Sequence, residues 1–286
     1  MSDAGPSGGL PQGNRSARGQ LGRLSTYKRS APRTSRWTSR DSFEESFRMF
    51  RSNLSVSLNE IDHPVVMVTS SHPNEGKTVV CTKLALSFAQ AGKRVVLVDL
   101  DLRNPASNRL LRTHNEFGIS DVLTGQKTLR DCLQHLEIQD QNGRSSGSIY
   151  FLGTGAPVHN PVELLGSSRA ARTLDGLAKQ SDIVLLDSPP VLPVADALVI
   201  GRVASGAILV VEAGRTAFQA VQQSKDLLIR NQTRLLGIVM NKFLARDVKY
   251  MQGYYGYGYG TDRAPDGVSS PLGPIANNGS TVHEAQ

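Results

Sequence analysis

The sequence predicts an α/β protein with a doubly wound, mainly parallel sheet and flexible N- and C-terminal tails. Two observations lead to this fold class. Short, nearly continuous runs of Val, Ile and Leu recur along the middle of the chain, as in strands buried on both faces. Helical patterns of apolar residues follow these runs, and such alternation is typical of parallel sheets covered by helices on both sides. The runs lie at 64–70, 94–100, 148–153, 182–187, 206–213 and 235–241.

The first predicted element is a helix over residues 42–58. Apolar side chains recur there at helical spacing, from Phe43 to Leu58. Ser42 and Glu45 stand three residues apart, which predicts a capping box at the helix start. By residue type alone, its charged side chains indicate a solvated face with a Glu45–Arg48 ion pair. Further along, the polar stretch 138–148 predicts a surface loop.

Charge divides the chain into a basic N-terminal tail at 1–41, one folded domain at 42–248 and a second tail at 249–286. The net charge is +7, and the first 40 residues hold eight bases against one acid. The remaining 246 residues hold 24 bases and 24 acids, so the folded body is neutral. The basic tail is too polar to fold alone and is interpreted first as a disordered arm. A tether to anionic lipid is the second interpretation, at about 1 kcal/mol per basic residue, and nucleic acid is not expected as a partner.

Hydropathy and cysteine content indicate where the protein works. The sequence contains no apolar run of eighteen residues, so we expect no segment that spans a membrane by itself. Cys81 and Cys132 offer no disulfide framework, which is typical of a reducing compartment. We therefore expect a cytoplasmic protein.

The stretch VTSSHPNEGKT at 68–78 follows the first predicted strand and opens a helix. In this context backbone N–H groups bind phosphates, Lys77 reaches the β- and γ-phosphate oxygens of ATP, and Thr78 holds Mg²⁺. The strict pattern has Gly six residues before the lysine, and the small residue found there still permits the turn. The loop residues expected to contact ATP are Ser71, Pro73, Asn74, Glu75, Gly76, Lys77, Thr78 and Val79.

Three acids follow buried strands. Asp99 and Asp101 end the second run, and their spacing of two directs both side chains to one side of an extended strand. Asp187 ends a later run and fits a carboxylate that coordinates Mg²⁺ or holds water. Because parallel sheets bind ligands at the carboxyl ends of their strands, we expect these acids and Lys77 around one site. An ordinary solvated strand end remains the alternative for the first two acids.

A tyrosine strip, YMQGYYGYGYG at 250–260, holds five of the seven tyrosines of the chain. The intervening glycines leave the backbone flexible and supply no side-chain neighbours. The strip is therefore poorly suited to packing and well suited to entering another site. Its tyrosines are Tyr250, Tyr254, Tyr255, Tyr257 and Tyr259.

Taken together, HPNEGKT, VVLVDLDLR and IVLLDSPP resemble the Walker A, A′ and B motifs of the bacterial tyrosine kinases of capsule and exopolysaccharide biosynthesis. ESFRMFRSN matches the ExxRxxRxN motif of that family, and the tyrosine strip matches its autophosphorylation tail. The related MinD/ParA ATPases carry a signature lysine five residues before the invariant one, where this chain has His72.

The resemblance implies a protein-tyrosine kinase that uses ATP and Mg²⁺ and phosphorylates its own strip in trans. It implies that Thr78, Asp99 and Asp187 serve the metal ion and that Asp101 faces the tyrosine hydroxyl. The catalytic set would be Lys77, Asp99, Asp101 and Arg103, with Asn241 near the base. Assembly into a ring of identical subunits would involve Glu45, Arg48, Arg51 and Asn53.

Partners are also implied by the resemblance. A transmembrane activator of the polysaccharide co-polymerase type would hold the kinase at the inner face of the plasma membrane, and a cognate phosphotyrosine phosphatase would reverse its reaction. The alternative function is that of a MinD/ParA-like scaffold, for which ATP-dependent assembly matters and phosphorylation does not.

Overall fold

The computed structural model describes residues 39–139 and 144–243. The chain divides into two units between Glu44 and Glu45, and the described part of the first is the beginning of one helix. Most of the predicted N-terminal tail and all of the tyrosine strip lie outside the described residues. Within the described ranges, no helix is both long and apolar enough to cross a bilayer.

The strands and helices of the described residues alternate for most of the chain. The strands are β1 (Val65–Ser70), β2 (Val95–Asp99), β3 (Gln134–Gln139), β4 (Ser145–Leu152), β5 (Ile183–Asp187), β6 (Gly206–Glu212) and β7 (Leu235–Asn241). The helices are α1 (Ser39–Ser57), α2 (Lys77–Gln90), α3 (Ser107–Leu111), α4 (Ile119–Thr124), α5 (Leu129–Cys132), α6 (Pro161–Leu165), α7 (Ser168–Ala178), α8 (Asp196–Gly201) and α9 (Phe218–Arg230).

The described strands form one seven-stranded sheet in the order β3-β4-β2-β5-β1-β6-β7. Neighbouring strands are parallel except for β3, which runs antiparallel to β4 at one edge. Side chains of each central strand alternate between two cores. Val66 and Val68 join the core that contains α2, whereas Val65 and Met67 join the core that contains α4, α6, α7 and α8. The doubly wound fold predicted from the apolar runs is confirmed.

Helix α2 follows the phosphate loop and lies against the middle of the sheet. Its residues Val80, Leu84 and Phe88 are buried there, as their spacing predicts, and Cys81 is fully buried beside them. This packing fixes the first turn of α2 at the carboxyl ends of the parallel strands, which is where the predicted site residues lie.

Two local expectations were wrong, and one strand was missed. The capping box fails because α1 begins at Ser39, so Ser42 lies inside the helix. The loop predicted at 138–148 is shorter, since β3 extends to Gln139 and β4 begins at Ser145. Strand β3 was missed because it is a half-exposed edge strand in which inward and outward positions alternate, and its sequence QHLEIQ contains no apolar run.

Candidate active site at the carboxyl edge of the sheet

The phosphate loop, residues 71–76, joins β1 to α2 and is held by the end of β7. Gly76 has a φ of 97°, and a Cβ at this position would collide with the side-chain amide of Asn241. Asn241 Nδ2 donates a hydrogen bond to the carbonyl of Glu75 at 2.9 Å. Lys242 Nζ donates to the carbonyl of Asn74. The side chains of Asn241, which ends β7, and of Lys242, which follows it, therefore bind two carbonyls of the loop and fix its path into α2.

Lys77 is the first residue of α2, and its ammonium lies among carboxylates. Its Nζ is 2.8 Å from Asp101 Oδ2 and 3.9 Å from Asp187 Oδ1, and it donates to Thr78 Oγ1 at 3.3 Å. Burial alone would lower the pKa of Lys77, but Asp187, Asp101 and Asp99 outweigh it and raise the pKa above its usual value. The ammonium is therefore charged at neutral pH and placed to bind oxyanions.

Asp187, at the end of β5, is fully buried. Its Oδ2 accepts a hydrogen bond from Ser107 Oγ at 3.0 Å, while Oδ1 has no hydrogen-bond partner among the described residues. Burial raises the pKa of this carboxyl to about 7, although Lys77 opposes the shift. Oδ1 has the Lys77 ammonium at 3.9 Å but no hydrogen bond, so it can still accept one or bind a ligand.

Asp99, at the end of β2, uses its carboxylate to shape the chain that follows. Oδ1 accepts from the backbone N–H of Asp101 at 3.1 Å, and Oδ2 accepts from the backbone N–H groups of Ala106 and Ser107 at 3.3 and 3.1 Å. Burial raises its pKa, opposed by the hydrogen bonds from the backbone of Ser107, Asp101 and Ala106. Because β2 ends at Asp99, Asp101 lies in the loop after the strand, and the alignment of the two side chains by strand alternation stays a prediction.

Arg103 lies at the mouth of the site. Its Nε donates to both carboxylate oxygens of Asp196 at 3.1 Å. Asp196 is the first residue of α8 and is fully buried, whereas 43% of the Arg103 side chain is exposed. The ion pair joins the loop after β2 to the segment that follows β5.

A cavity of about 690 Å³ opens at this edge of the sheet. Six residues predicted to contact ATP line it, together with the predicted catalytic residues Asp101 and Arg103. The six are Pro73, Asn74, Gly76, Lys77, Thr78 and Val79. The other lining residues are Asn104, Ala106, Arg109, Leu110, Pro189, Pro190, Pro193, Val194 and Lys242.

The other residues predicted to bind ATP or metal are not part of this lining. Ser71 is fully buried, and its Oγ accepts a hydrogen bond from Ser224 Oγ of α9. The buried carboxylate of Glu75 accepts from the backbone N–H of His72 and from the hydroxyl of Thr216. These two side chains and Asn241 hold the loop from behind. Asp99 and Asp187 likewise lie beneath the cavity lining.

The predicted interface residues of α1 behave differently from one another. Arg48 is exposed and pairs with Glu45 at 2.8 Å, and Asn53 is exposed. Arg51 instead donates to the carbonyl of Ser87 in α2 at 2.6 Å. Assembly through these residues stays a prediction.

Three residues at the site were not found from the sequence: Ser107, Asp196 and Lys242. Asp196 stands at the start of a helix, where an acid is common because it complements the helix dipole. Ser107 likewise begins a short helix, and Lys242 directly follows the predicted Asn241. Local sequence offers no signal that would separate these roles from ordinary helix-start or strand-end chemistry.

The donor set bears on the predicted magnesium ion. Within the described residues, no group of three or more His, Cys, Asp or Glu side chains is arranged to hold a metal ion. A magnesium ion in a phosphate-loop site does not require such a cage, because it retains several waters and binds substrate phosphates with one or two protein ligands. Thr78 Oγ1 and the unpartnered Asp187 Oδ1 fit that requirement.

Comparison with known proteins identifies the family. A family model described as an AAA domain matches residues 65–235. Tyrosine-protein kinase YwqD of Bacillus subtilis (strain 168) is 34% identical over 213 residues, which cover 74% of this chain and 86% of YwqD. This chain belongs to the bacterial tyrosine kinases. The family indicated by the motifs is thus confirmed.

Two further relatives place the kinase within its family. Tyrosine-protein kinase Wzc of Salmonella typhimurium (strain LT2) is 32% identical over 219 residues, which cover 76% of this kinase but only 29% of Wzc. The kinase domain of Escherichia coli tyrosine kinase ETK superposes with a TM-score of 0.66 at 30% identity, covering 71% of this kinase and 76% of that domain. About three quarters of this kinase therefore matches most of YwqD and of the ETK kinase domain, but less than a third of Wzc.

Proposed function

We propose that this kinase transfers the γ-phosphoryl group of ATP to tyrosines 250–259 of a second copy of the chain. The observation that supports this most directly is the position of Lys77 Nζ, which lies 2.8 Å from Asp101 and 3.9 Å from Asp187 beside a cavity large enough for a nucleotide. The Lys77 ammonium, the Asp101 carboxylate and the buried Asp187 carboxylate, whose Oδ1 accepts no hydrogen bond among the described residues, then lie together where the triphosphate of a P-loop enzyme binds.

ATP binding is assigned to the loop and to Lys77. Backbone N–H groups of residues 72–78 bind the β- and γ-phosphates, and the first turn of α2 adds partial positive charge. When the triphosphate enters, Lys77 Nζ exchanges Asp101 for phosphate oxygens. We assign Asn241 a supporting role behind the loop, since its amide is already bound to Glu75, and contact with the base stays a prediction.

Magnesium is assigned to Thr78 and Asp187, with Asp99 acting through the backbone it holds. When bound, the ion would supply positive charge that offsets the charge of the triphosphate. Thr78 Oγ1 and Asp187 Oδ1 are the available ligands, directly or through water. Within the described residues, the hydrogen bonds of Asp99 go to backbone N–H groups between 101 and 107, which positions Asp101 and Ser107.

Asp101 is assigned the acceptor tyrosine. A phenol with a pKa of about 10 is roughly one part in a thousand ionised at neutral pH, a deficit of about 4 kcal/mol. Release of Lys77 frees Asp101 Oδ2 to accept the phenolic proton, while the backbone N–H of Asn104 keeps Oδ1 in place at 3.1 Å. Arg103 contacts the transferred phosphate from the mouth of the cavity.

We assign transfer in trans to the tyrosine strip because its glycine-rich sequence is suited to entering another site. Phosphorylation of the strip would also supply regulation. Each phosphate adds about −1.5 to −2 charge, so five would add on the order of −8 to −10 and repel neighbouring strips in a ring. We propose that this controls capsule or exopolysaccharide synthesis together with a transmembrane activator, at the inner face of the plasma membrane, and that a phosphatase resets the strip.

A mixing experiment tests this function. The donor carries Phe at all five strip tyrosines, and the acceptor is Lys77→Met with its strip intact. Neither protein is expected to gain phosphotyrosine alone with Mg·ATP, whereas the acceptor should gain it when the two are mixed. Phosphotyrosine on the donor, or none in the mixture while the wild-type chain is active, would contradict transfer in trans to this strip.

A further inference from the structure

Asp196 is a buried acid whose hydrogen bonds among the described residues go to one side chain at the candidate site. It is 0% exposed, and both of its oxygens accept from Arg103 Nε. A carboxylate removed from water is strongly destabilising unless it is paired and hydrogen bonded. The start of α8 accounts for an acid at this position but not for its partner, which is a partly exposed arginine that lines the cavity.

The geometry of the pair leaves one end of the guanidinium available. The recorded hydrogen bonds of Arg103 run from Nε, and within the described ranges none runs from Nη1 or Nη2. Arginine has five N–H donors in a rigid planar fork, so fixing Nε also fixes the direction of the other four. An arginine on a loop that must donate to a phosphoryl group gains from being oriented in advance.

The pair also spans the two segments that carry the predicted chemistry. Arg103 follows Asp101 by two residues, and Asp196 begins the helix that follows Asp187 and the proline pair Pro189 and Pro190. The hydrogen bonds between Arg103 and Asp196 therefore fix the position of the loop that carries Asp101 relative to Asp187 at the end of β5.

We propose that Asp196 is a positioning residue: it fixes Nε of Arg103 so that the Nη groups donate to the oxygens of the phosphoryl group during transfer. This inference rests on the proposed kinase function and adds to it a residue that neither motif nor family match assigns. Because the Nη contacts would strengthen as the phosphoryl group moves, loss of Asp196 is expected to lower kcat and to leave the KM for ATP nearly unchanged.

The test uses the full chain with three variants, Asp196→Asn, Arg103→Gln and the double variant. The acceptor is a synthetic peptide with the sequence of residues 249–260, and kcat and the KM for ATP are measured together with Tm. Asp196→Asn keeps the shape of the side chain and should lower kcat by about 10- to 100-fold with the KM for ATP within about threefold. The double variant should match Arg103→Gln, because Asp196 acts through Arg103.

Asp182→Asn is the matched control. It removes the acid of another arginine pair, in which Arg94 Nη2 lies 2.9 Å from Asp182 Oδ1. This pair lies at the N-terminal ends of β2 and β5, whereas the candidate site lies at their C-terminal ends. This variant should keep the wild-type kcat. Arg103→Lys provides a second test if Asp196→Asn fails to fold, since an ammonium cannot bind Asp196 and a phosphoryl group in the geometry of the guanidinium, and kcat should again fall.

The possible results distinguish failure of the proposed kinase function from failure of the role assigned to Asp196. A wild-type chain that binds ATP but transfers no phosphate would overturn the proposed function and this inference with it. An active wild type with unchanged kcat in Asp196→Asn, a loss that arises only from a higher KM for ATP, independent effects in the double variant, or full kcat in Arg103→Lys would overturn the inference alone.

Discussion

Asn241 at the end of β7 and Gly76 at the end of the phosphate loop occupy adjoining space, so that a Cβ on Gly76 would collide with the Asn241 amide. The amide is already held by the carbonyl of Glu75 at 2.9 Å. Two distant parts of the chain thereby fix the last residue before α2, and the left-handed φ of 97° at Gly76 is part of that arrangement.

Gly76→Ala is therefore expected to weaken both the fold and nucleotide binding. The left-handed backbone alone costs an alanine about 1–2 kcal/mol, and displacement of the Asn241 amide adds to it. Thermal unfolding and titration with a fluorescent ATP analogue measure the two effects. Gly92→Ala is the control, because Gly92 has a φ of 78° with open space around its Cβ position. Equal losses of Tm and of ATP affinity in both variants would refute the role of the Gly76–Asn241 contact.

Lys77 and Asp101 are expected to depend on each other for stability. Lys77→Met leaves the buried Asp101 without its ammonium, which should lower the free energy of unfolding by on the order of 3 kcal/mol. Adding Asp101→Asn should restore much of that stability but no phosphotransfer. Urea unfolding and transfer of radioactive phosphate measure the two properties. Equal free energies of unfolding for Lys77→Met and the double variant would contradict the destabilisation expected from an unpaired Asp101.

The pKa of Asp187 predicts a pH dependence of stability. Its native value of about 7 lies above the ordinary 3.8, so between these values the native state keeps a proton that the unfolded chain has lost. The contribution of Asp187 to stability therefore falls as pH rises through this window. Asp187→Asn does not titrate there, so its Tm should exceed that of wild type by about 3–6 °C at pH 8 and by less at pH 5. Its phosphotransfer activity should be lost.

Asp182 provides the control for this pH dependence. Hydrogen bonds from Arg94 hold its pKa below the ordinary value, so its contribution is lost only when pH falls below 3.8. The Tm difference between Asp182→Asn and wild type should then be constant from pH 5 to pH 8. A constant difference for Asp187→Asn as well would argue against a raised pKa.

The two arginines of α1 should separate folding from assembly. Arg51 binds the carbonyl of Ser87 in α2, and loss of a charged hydrogen bond of about 1.5–3 kcal/mol predicts that Arg51→Ala has a clearly lower Tm. Arg48 makes an exposed pair with Glu45, which contributes little to stability. Arg48→Ala should keep its Tm and, if α1 forms the interface, sediment as a smaller species. A stable Arg51→Ala would contradict the first part, and an unchanged oligomer would contradict the second.

The sequence predicted those features that depend on local pattern. Buried parallel strands appear in the sequence as continuous apolar runs. The phosphate loop and the lysine that follows it have a spacing that phosphate binding requires. The edge strand β3 gave no such signal, because half of its side chains face outward. The capping box at Ser42 failed because many residues that suit a helix start also occur one turn inside a helix.

Contacts between distant segments could not be predicted from the sequence. Asp99 was expected to serve the metal ion, directly or through water, and the hydrogen bonds that its oxygens accept from the backbone of the following loop were not predicted. Asp196 resembles an ordinary helix-start acid until the fold brings Arg103 beside it. Such pairings depend on the path of the loops, which the periodicity of apolar residues and the residue types do not determine.

The most direct measurement is the mass of the tryptic peptide 250–263 from the full chain after incubation with ATP and Mg²⁺. This peptide begins after Lys249, ends at Arg263 and contains all five strip tyrosines. The wild-type chain is expected to yield peptides that carry one or more phosphates, and Lys77→Met incubated alone only the unmodified peptide. An unmodified peptide from a wild-type chain that nevertheless converts ATP to ADP would contradict the kinase mechanism and favour an ATP-driven scaffold.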